Sequence, residues 1–153
     1  MTQRLDKQTF QTVVAHTPLI SLDLIVENTN GQVLLGQRLN KPAQGYWFVP
    51  GGRVLKDETI AHAFLRLTKE ELGVELQLSD ATLIGPFEHF YSDNFSGNDF
   101  STHYVVLGYR VKLDVLLDQL PKEQHGHYQW FDMATLLNAD DVHRYTKLYF
   151  LTK

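Results

Sequence analysis

Ile60, Ala63, Phe64, Leu67, Thr68 and Glu71 follow one another at steps of three, one, three, one and three residues, so they share one face of a helix. That face is apolar except toward its end. A carboxylate set into an apolar stripe costs free energy unless a cation or strong hydrogen-bond donors meet it, which makes Glu71 a functional candidate. Gly73 supplies the stop. Ahead of the helix stands Gly51-Gly52-Arg53, where unhindered backbone lies beside a guanidinium. Backbone donors, a cation and an inward carboxylate together suit a metal ion bound with a diphosphate. Arg66 and Glu70 stand one turn apart on an adjacent face, a spacing that by itself describes a solvated ion pair.

The rest of the chain interleaves strands with helices. Asp6 caps a short helix carrying Phe10, Val13 and Val14, which Pro18 ends. Ile20, Leu22, Leu24 and Val26 alternate as a strand, with Asp23 on the opposite face. Thr29-Asn30-Gly31-Gln32 carries a hairpin signal into a returning strand from Val33 to Arg38. Pro42 to Gly52 reads as a loop holding a short Tyr46-Trp47-Phe48 strand, and the amphipathic helix runs from about Thr59 to Leu72. Leu83 to Tyr91 and His103 to Lys112 read as strands around an Asn-, Asp-, Ser- and Gly-rich loop, Ser92 to Ser101. Tyr128 to Phe131 is a short strand, and Asp132 to Leu137 and Asp141 to Leu151 have helix character. This order predicts an α/β fold in which a mixed sheet is sandwiched between helices.

With 153 residues, 43% of them hydrophobic, the chain is expected to form one domain, residues 1–153, around an ordinary core. The absence of cysteine excludes disulfides, thiolate metal sites and cysteine nucleophiles. A formal charge of −4 gives no support to a nucleic-acid surface. No run is long and apolar enough to span a membrane, and the first residues lack a signal core, so a cytoplasmic location is expected.

The run Gly52-x5-Glu58-x7-Arg66-Leu67-Thr68-Lys69-Glu70-Glu71-Leu72-Gly73-Val74 resembles the Nudix box, G-x5-E-x7-R-E-U-x-E-E-x-G-U, with U bulky and aliphatic. Two positions depart from it. Thr68 replaces an aliphatic residue, and Leu67 replaces an acid that in many Nudix hydrolases binds metal or serves catalysis. The resemblance therefore implies fewer bound metal ions and a base drawn from elsewhere. Within the superfamily, Pro42 to Arg53, His89 to Gly97, Thr102 to Gly108 and Asp23 are similar to the GDP-mannose mannosyl hydrolases, and the likeness runs from about Phe10 to Leu151.

That resemblance implies a Mg²⁺-dependent hydrolase of a GDP-hexose, and a homodimer. To Glu71 and the Gly51 carbonyl, candidate metal ligands from the residues themselves, it adds Gln124; Glu70 is read as a surface residue or one behind the ligands in preference to a direct ligand, and Glu58 as structural. Arg38, Arg53 and Arg66 become phosphate clamps, although each alone reads as a surface arginine and Arg66 also fits a lock between loop and helix. Tyr104, on the face opposite Val105 and Leu107, is placed to reach a phosphate oxygen. Of seven histidines, His125 follows the proposed ligand Gln124 in a loop and is the candidate base. His89 is paired with Asp23 near the site, whereas His16, His62, His127 and His143 lack a partner in the sequence. Phe10, Trp47, Phe90 and Phe95 are the aromatics available to stack on guanine. The implied reaction is water attack at the anomeric carbon with inversion. Two alternatives stay open: a nucleotide-sugar pyrophosphatase attacking phosphorus, and a nucleotide-binding regulator without turnover.

Overall fold

Burial on both faces of one strand organises the chain. In the computed structural model, which describes residues 4–121 and 125–151 with the side chains at 125 and 126 left out, β1 (Leu19–Glu27) is almost entirely enclosed. Leu22, Leu24 and Val26 pack from one face against Ala63, Phe64, Leu67 and Leu72 of a helix. Ile25 packs from the other face with Val33, Leu35, Val49, Phe131, Leu136, Val142 and Tyr149. A strand covered on both sides needs neighbours on both edges, and β1 has them. Along one edge it runs parallel to β6 (Thr102–Lys112), from Leu19↔Tyr104 to Glu27↔Lys112, and β6 pairs antiparallel with β5 (Thr82–Tyr91).

The other edge is shared. β2 (Val33–Arg38) meets β1 antiparallel at Glu27↔Val33 and then diverges to pair with β3 (Trp47–Phe48) and β7 (His125–Phe131). The opening is filled by β4 (Gly51–Arg53), which pairs antiparallel with Ser21, Leu22 and Asp23. The seven strands thus form one mixed sheet, ordered β3-β2-β1-β6-β5, with β4 on β1 and β7 on β2.

Helix α1 (Lys7–His16) starts at Asp6, whose carboxylate accepts from Thr9 N at 2.7 Å. Helix α2 (Ile60–Leu72) is capped by the Thr59 hydroxyl and ends at Gly73, left-handed with φ 77°. It buries Ala63, Phe64, Leu67, Thr68, Glu71 and Leu72, the face expected from spacing, except that Ile60 in the first turn is exposed. Helices α3 (Met133–Asn138) and α4 (Arg144–Leu151) cover the opposite face.

Three local readings change. Gly51 and Gly52, expected at the end of a loop, form β4 with Arg53 because the splay of β1 and β2 leaves donors and acceptors on that edge of β1 to be satisfied. β7 begins at His125 rather than Tyr128, drawn out by pairing with β2 as far as Arg38↔His125. Helix α4 starts at Arg144 rather than Asp141, because the preceding residues pair with Trp47: Trp47 N donates to Asp141 O at 2.8 Å and His143 N to Trp47 O at 3.1 Å. Among the described residues no helix is long and apolar enough to cross a membrane.

Candidate active site

The splay between β1 and β2 opens a cleft with a cavity volume of about 90 Å³. Its lining includes Asp23 from β1, Arg38 at the end of β2, Gly51, Gly52 and Arg53 of β4, Glu71 from α2, His89 and Tyr91 from β5, and Tyr104 from β6. Six elements therefore converge on residues up to 81 positions apart in the chain, from Asp23 to Tyr104.

The backbone of β4 sets the floor. A Cβ on Gly51 would fall 2.4 Å from Leu22 O and 2.6 Å from Asp23 Oδ1, and one on Gly52 would fall 2.5 Å from Leu67 Cδ2. Only glycine lets the chain thread between β1 and α2 here. The close approach carries Gly51 N to Glu71 Oε1 at 3.3 Å, and Glu71 is 3% exposed although it lines the cleft. A buried carboxylate beside unhindered backbone fits a hard divalent cation, which takes oxygen donors. Among the described residues no group of three or more His, Asp or Glu side chains is arranged to hold a metal. The fit therefore rests on one carboxylate with backbone oxygen. Gln124 lies outside the described residues, and for His125 only the backbone, paired opposite Arg38, is described.

Two guanidiniums flank this floor. Arg38 Nε donates to Pro42 O at 2.8 Å, which fixes the plane of the group in the cleft wall. Arg53 lies over the Phe10 ring, 4.4 Å from its centroid, and Phe10 packs on Phe95 at 4.8 Å. Burial lowers the Arg53 pKa, opposed by nearby Tyr104. Tyr104 itself is raised by burial, with Arg38 and Arg53 pulling the other way, so its hydroxyl stays protonated between two cations and serves as a donor to an anion.

Arg66 is placed elsewhere. Its Nε and Nη2 donate to Glu58 at 2.7 and 2.9 Å, its Nη1 to Glu70 at 3.0 Å, and Nη2 also to Arg53 O at 2.8 Å. It does not line the cleft. All three nitrogens are engaged in ties between α2 and the β4 segment, which is the geometry of the lock that the sequence left open beside the clamp. Glu70, with its side chain 43% exposed, is held by Arg66 and by Arg4 at 3.2 Å, outside the cleft lining.

The far end of the cleft holds a buried polar chain. Tyr149 Oη donates to Asp23 Oδ2 and lies 3.4 Å from His89 Nε2. His89 is stacked parallel on Tyr145, centroids 4.3 Å apart, and Tyr145 Oη bridges Phe90 N and Phe90 O at 2.9 and 2.8 Å. Burial raises the Asp23 pKa to about 7 against the opposing Tyr149 hydrogen bond, and lowers that of His89 to about 4. The pairing of Asp23 with His89 expected from resemblance is therefore indirect. Tyr149 and Tyr145 were not singled out from the sequence, and their four-residue spacing on α4 was the available signal. Tyr91, likewise missed, follows His89 at strand period.

Other expectations resolve locally. His143 has partners after all: its Nδ1 accepts from Tyr145 N at 3.1 Å and its ring stacks on Phe48 at 4.8 Å. Trp47 packs edge-on to Phe131, and Phe90 stacks on His103, so neither of these two aromatics lines the cleft.

Comparison with known proteins bears on this geometry. A family model described as the NUDIX domain matches residues 17–151. The chain belongs to the Nudix family. It is 38% identical over 149 residues to the low-salt glycan biosynthesis protein Agl8 of Haloferax volcanii, covering 97% of this chain and 90% of that protein. Among solved structures, the MutT protein of Methanosarcina mazei Go1 superposes with a TM-score of 0.71 at 19% identity, covering 89% of this chain and 93% of that one. The NUDIX domain of Shewanella oneidensis NrtR, solved with ADP ribose, gives 0.66 at 20% identity, covering 96% and 90%. The fold is thus the Nudix fold, and the segment from Gly52 to Val74 is its box.

Two outcomes follow from the floor and the polar chain. Glu71→Gln lowers Mg²⁺ affinity by about 10–100-fold or more, the scale for disturbing a metal ligand, whereas Glu70→Gln changes it by about fivefold or less. Titration calorimetry of both variants checks this, and equal losses would transfer the ligand role away from Glu71. Because the folded state holds the Asp23 proton more tightly than the unfolded chain, this group removes stability as pH rises from 3.8 to about 7. Asp23→Asn escapes that loss, so in urea titrations with EDTA its stability relative to wild type grows across that window and then levels off. A difference independent of pH would show that Asp23 ionises near its ordinary value.

Proposed function

We propose that the chain is a Mg²⁺-dependent hydrolase of a GDP-hexose, with GDP-mannose as the favoured substrate, releasing GDP and free sugar. The observation that carries this reading is Leu67. It is 2% exposed and packed in the α2 core directly beneath Gly52, where the family motif has an acid. Nothing ionisable stands at that position to activate water toward phosphorus, while the two arginines and Tyr104 still line the cleft as donors to an anion. The similarity to a glycan biosynthesis protein supports a nucleotide-sugar substrate over a free nucleotide.

In this reading Glu71, the Gly51 carbonyl and Gln124 would hold Mg²⁺, which when bound would neutralise diphosphate charge. Arg38, Arg53 and the Tyr104 hydroxyl grip the diphosphate and gain strength as its bridging oxygen takes up negative charge. Phe10 and Phe95, beside Arg53, form an apolar shelf at the nucleotide end. Asp23 and His89 line the opposite end and address the hexose. The glycosidic C–O bond breaks with its electron pair leaving on GDP, water oxygen bonds to the anomeric carbon, and His125 takes the proton from that water. Attack from the face opposite the leaving group inverts the centre. A homodimer accompanies the reading, as the family resemblance implies, and a cytoplasmic location is proposed with it.

Hydrolysis of GDP-mannose in ¹⁸O-labelled water with Mg²⁺ tests the site of cleavage. The expected result is label in mannose and none in GDP, with the β anomer appearing first from the α-linked substrate in proton NMR. His125→Gln lowers kcat by about 10²–10⁴-fold in the same assay. Label in GMP or mannose 1-phosphate would establish a pyrophosphatase attacking phosphorus, and tight nucleotide binding with no turnover of any GDP-hexose would establish a regulator.

A further inference from the structure

The chain of polar atoms behind the cleft has a direction. Tyr149 is 2% exposed and carries a single hydroxyl proton. Ionised Asp23 only accepts, so that proton is committed to Asp23 Oδ2. Toward His89 Nε2, 3.4 Å away, the hydroxyl oxygen then has only lone pairs to offer. A neutral imidazole carries one N–H, and placing it on Nε2 is the arrangement that satisfies both atoms. Nδ1 is left as the unprotonated nitrogen. It meets no hydrogen-bond partner among the described residues, and His89 lines the cleft.

We propose that Tyr149 is a positioning residue that orders the chain His89 Nε2–H to Tyr149 Oη–H to Asp23 Oδ2, so that His89 presents Nδ1 to the cleft as an acceptor for a hydroxyl group of the bound sugar. A hydroxyl-bearing ligand is the matching chemistry, because a lone-pair nitrogen repels phosphate oxygen and attracts O–H. The rest of the packing holds the ring for this task. Tyr145 stacks on one face of His89 and is pinned to Phe90 through its own hydroxyl, and Phe87 stands edge-on to Tyr149 with centroids 4.6 Å apart.

The acceptor role rests on the nucleotide-sugar reading, whereas the tautomer does not, and two measurements separate them. In the full chain labelled with ¹⁵N-histidine, at pH 8.5 in EDTA, long-range proton–nitrogen correlation spectra report which His89 nitrogen is protonated, with the signal assigned by its loss in His89→Gln. Wild type is expected to show the Nε2–H form alone. Tyr149→Phe, which keeps the ring, is expected to populate both tautomers, while Tyr145→Phe keeps the single form. An Nδ1–H form in wild type overturns the proposal even if the variant fails to fold, and so does an unchanged tautomer in Tyr149→Phe. In initial-rate kinetics with Mg²⁺, Tyr149→Phe is expected to raise KM for GDP-mannose by about two- to tenfold, the scale of one hydrogen bond, with the inhibition constant of GDP unchanged. Equal weakening of both would remove the sugar contact and leave only a structural role. Absence of wild-type turnover would overturn the nucleotide-sugar reading and the sugar contact with it, the NMR result deciding the chain independently.

Discussion

The arrangement depends on how closely β4 is pressed between β1 and α2. Two successive glycines let backbone pass where any Cβ would strike Leu22 O, Asp23 Oδ1 or Leu67 Cδ2. Without that contact β1 would keep a partner at Ser21 to Asp23 on its β6 edge alone, and the bond from Gly51 N to Glu71 would be lost. The lock formed by Arg66 holds the same segment from outside, since it ties Arg53 O to Glu58 and Glu70 through one guanidinium. The Glu58 side chain is only 3% exposed with Arg66 over it, and removing Arg66 would leave it the single bond from Leu55 N at 3.0 Å. Structural ion pairing here serves the position of the glycines more than net stability.

The cleft has two chemically distinct ends. Cations and a phenol surround the floor at Gly51, and hydrogen-bonded neutral or buried groups line the end at Asp23 and His89. This asymmetry matches a ligand with a charged diphosphate and an uncharged polyol. It also has an energetic cost, because Asp23 is enclosed with no ion pair among the described residues and burial holds it up to about 7, against the Tyr149 hydrogen bond and the Arg38 charge.

Leu67 shows how one substitution redirects a scaffold. As a core residue it belongs with Leu22, Leu24 and Phe64, and it completes the apolar face of α2. The same residue leaves the floor beneath Gly52 without a carboxylate at that position, so the side chains that line the cleft come from several elements, among them β1, β2, β4, β5 and β6.

Helical spacing was enough to bury Glu71, and strand period was enough to put Asp23 on the opposite face from Leu22 and Leu24, because both periodicities are local properties of the backbone. The α/β layering and the family followed from the same local patterns and from the box itself. The sequence could not show that residues 51–53 become a strand, since that depends on the splay of β1 from β2. Nor could it decide between clamp and lock for Arg66. All three are arginines near the motif, and only the tertiary structure reveals that Arg66 spends its donors on Glu58, Glu70 and Arg53 O while the other two face the cleft. Tyr149 is the extreme case. It meets Asp23 across 126 positions of sequence, and nothing local to either residue encodes the contact, because it arises from packing α4 against the central sheet.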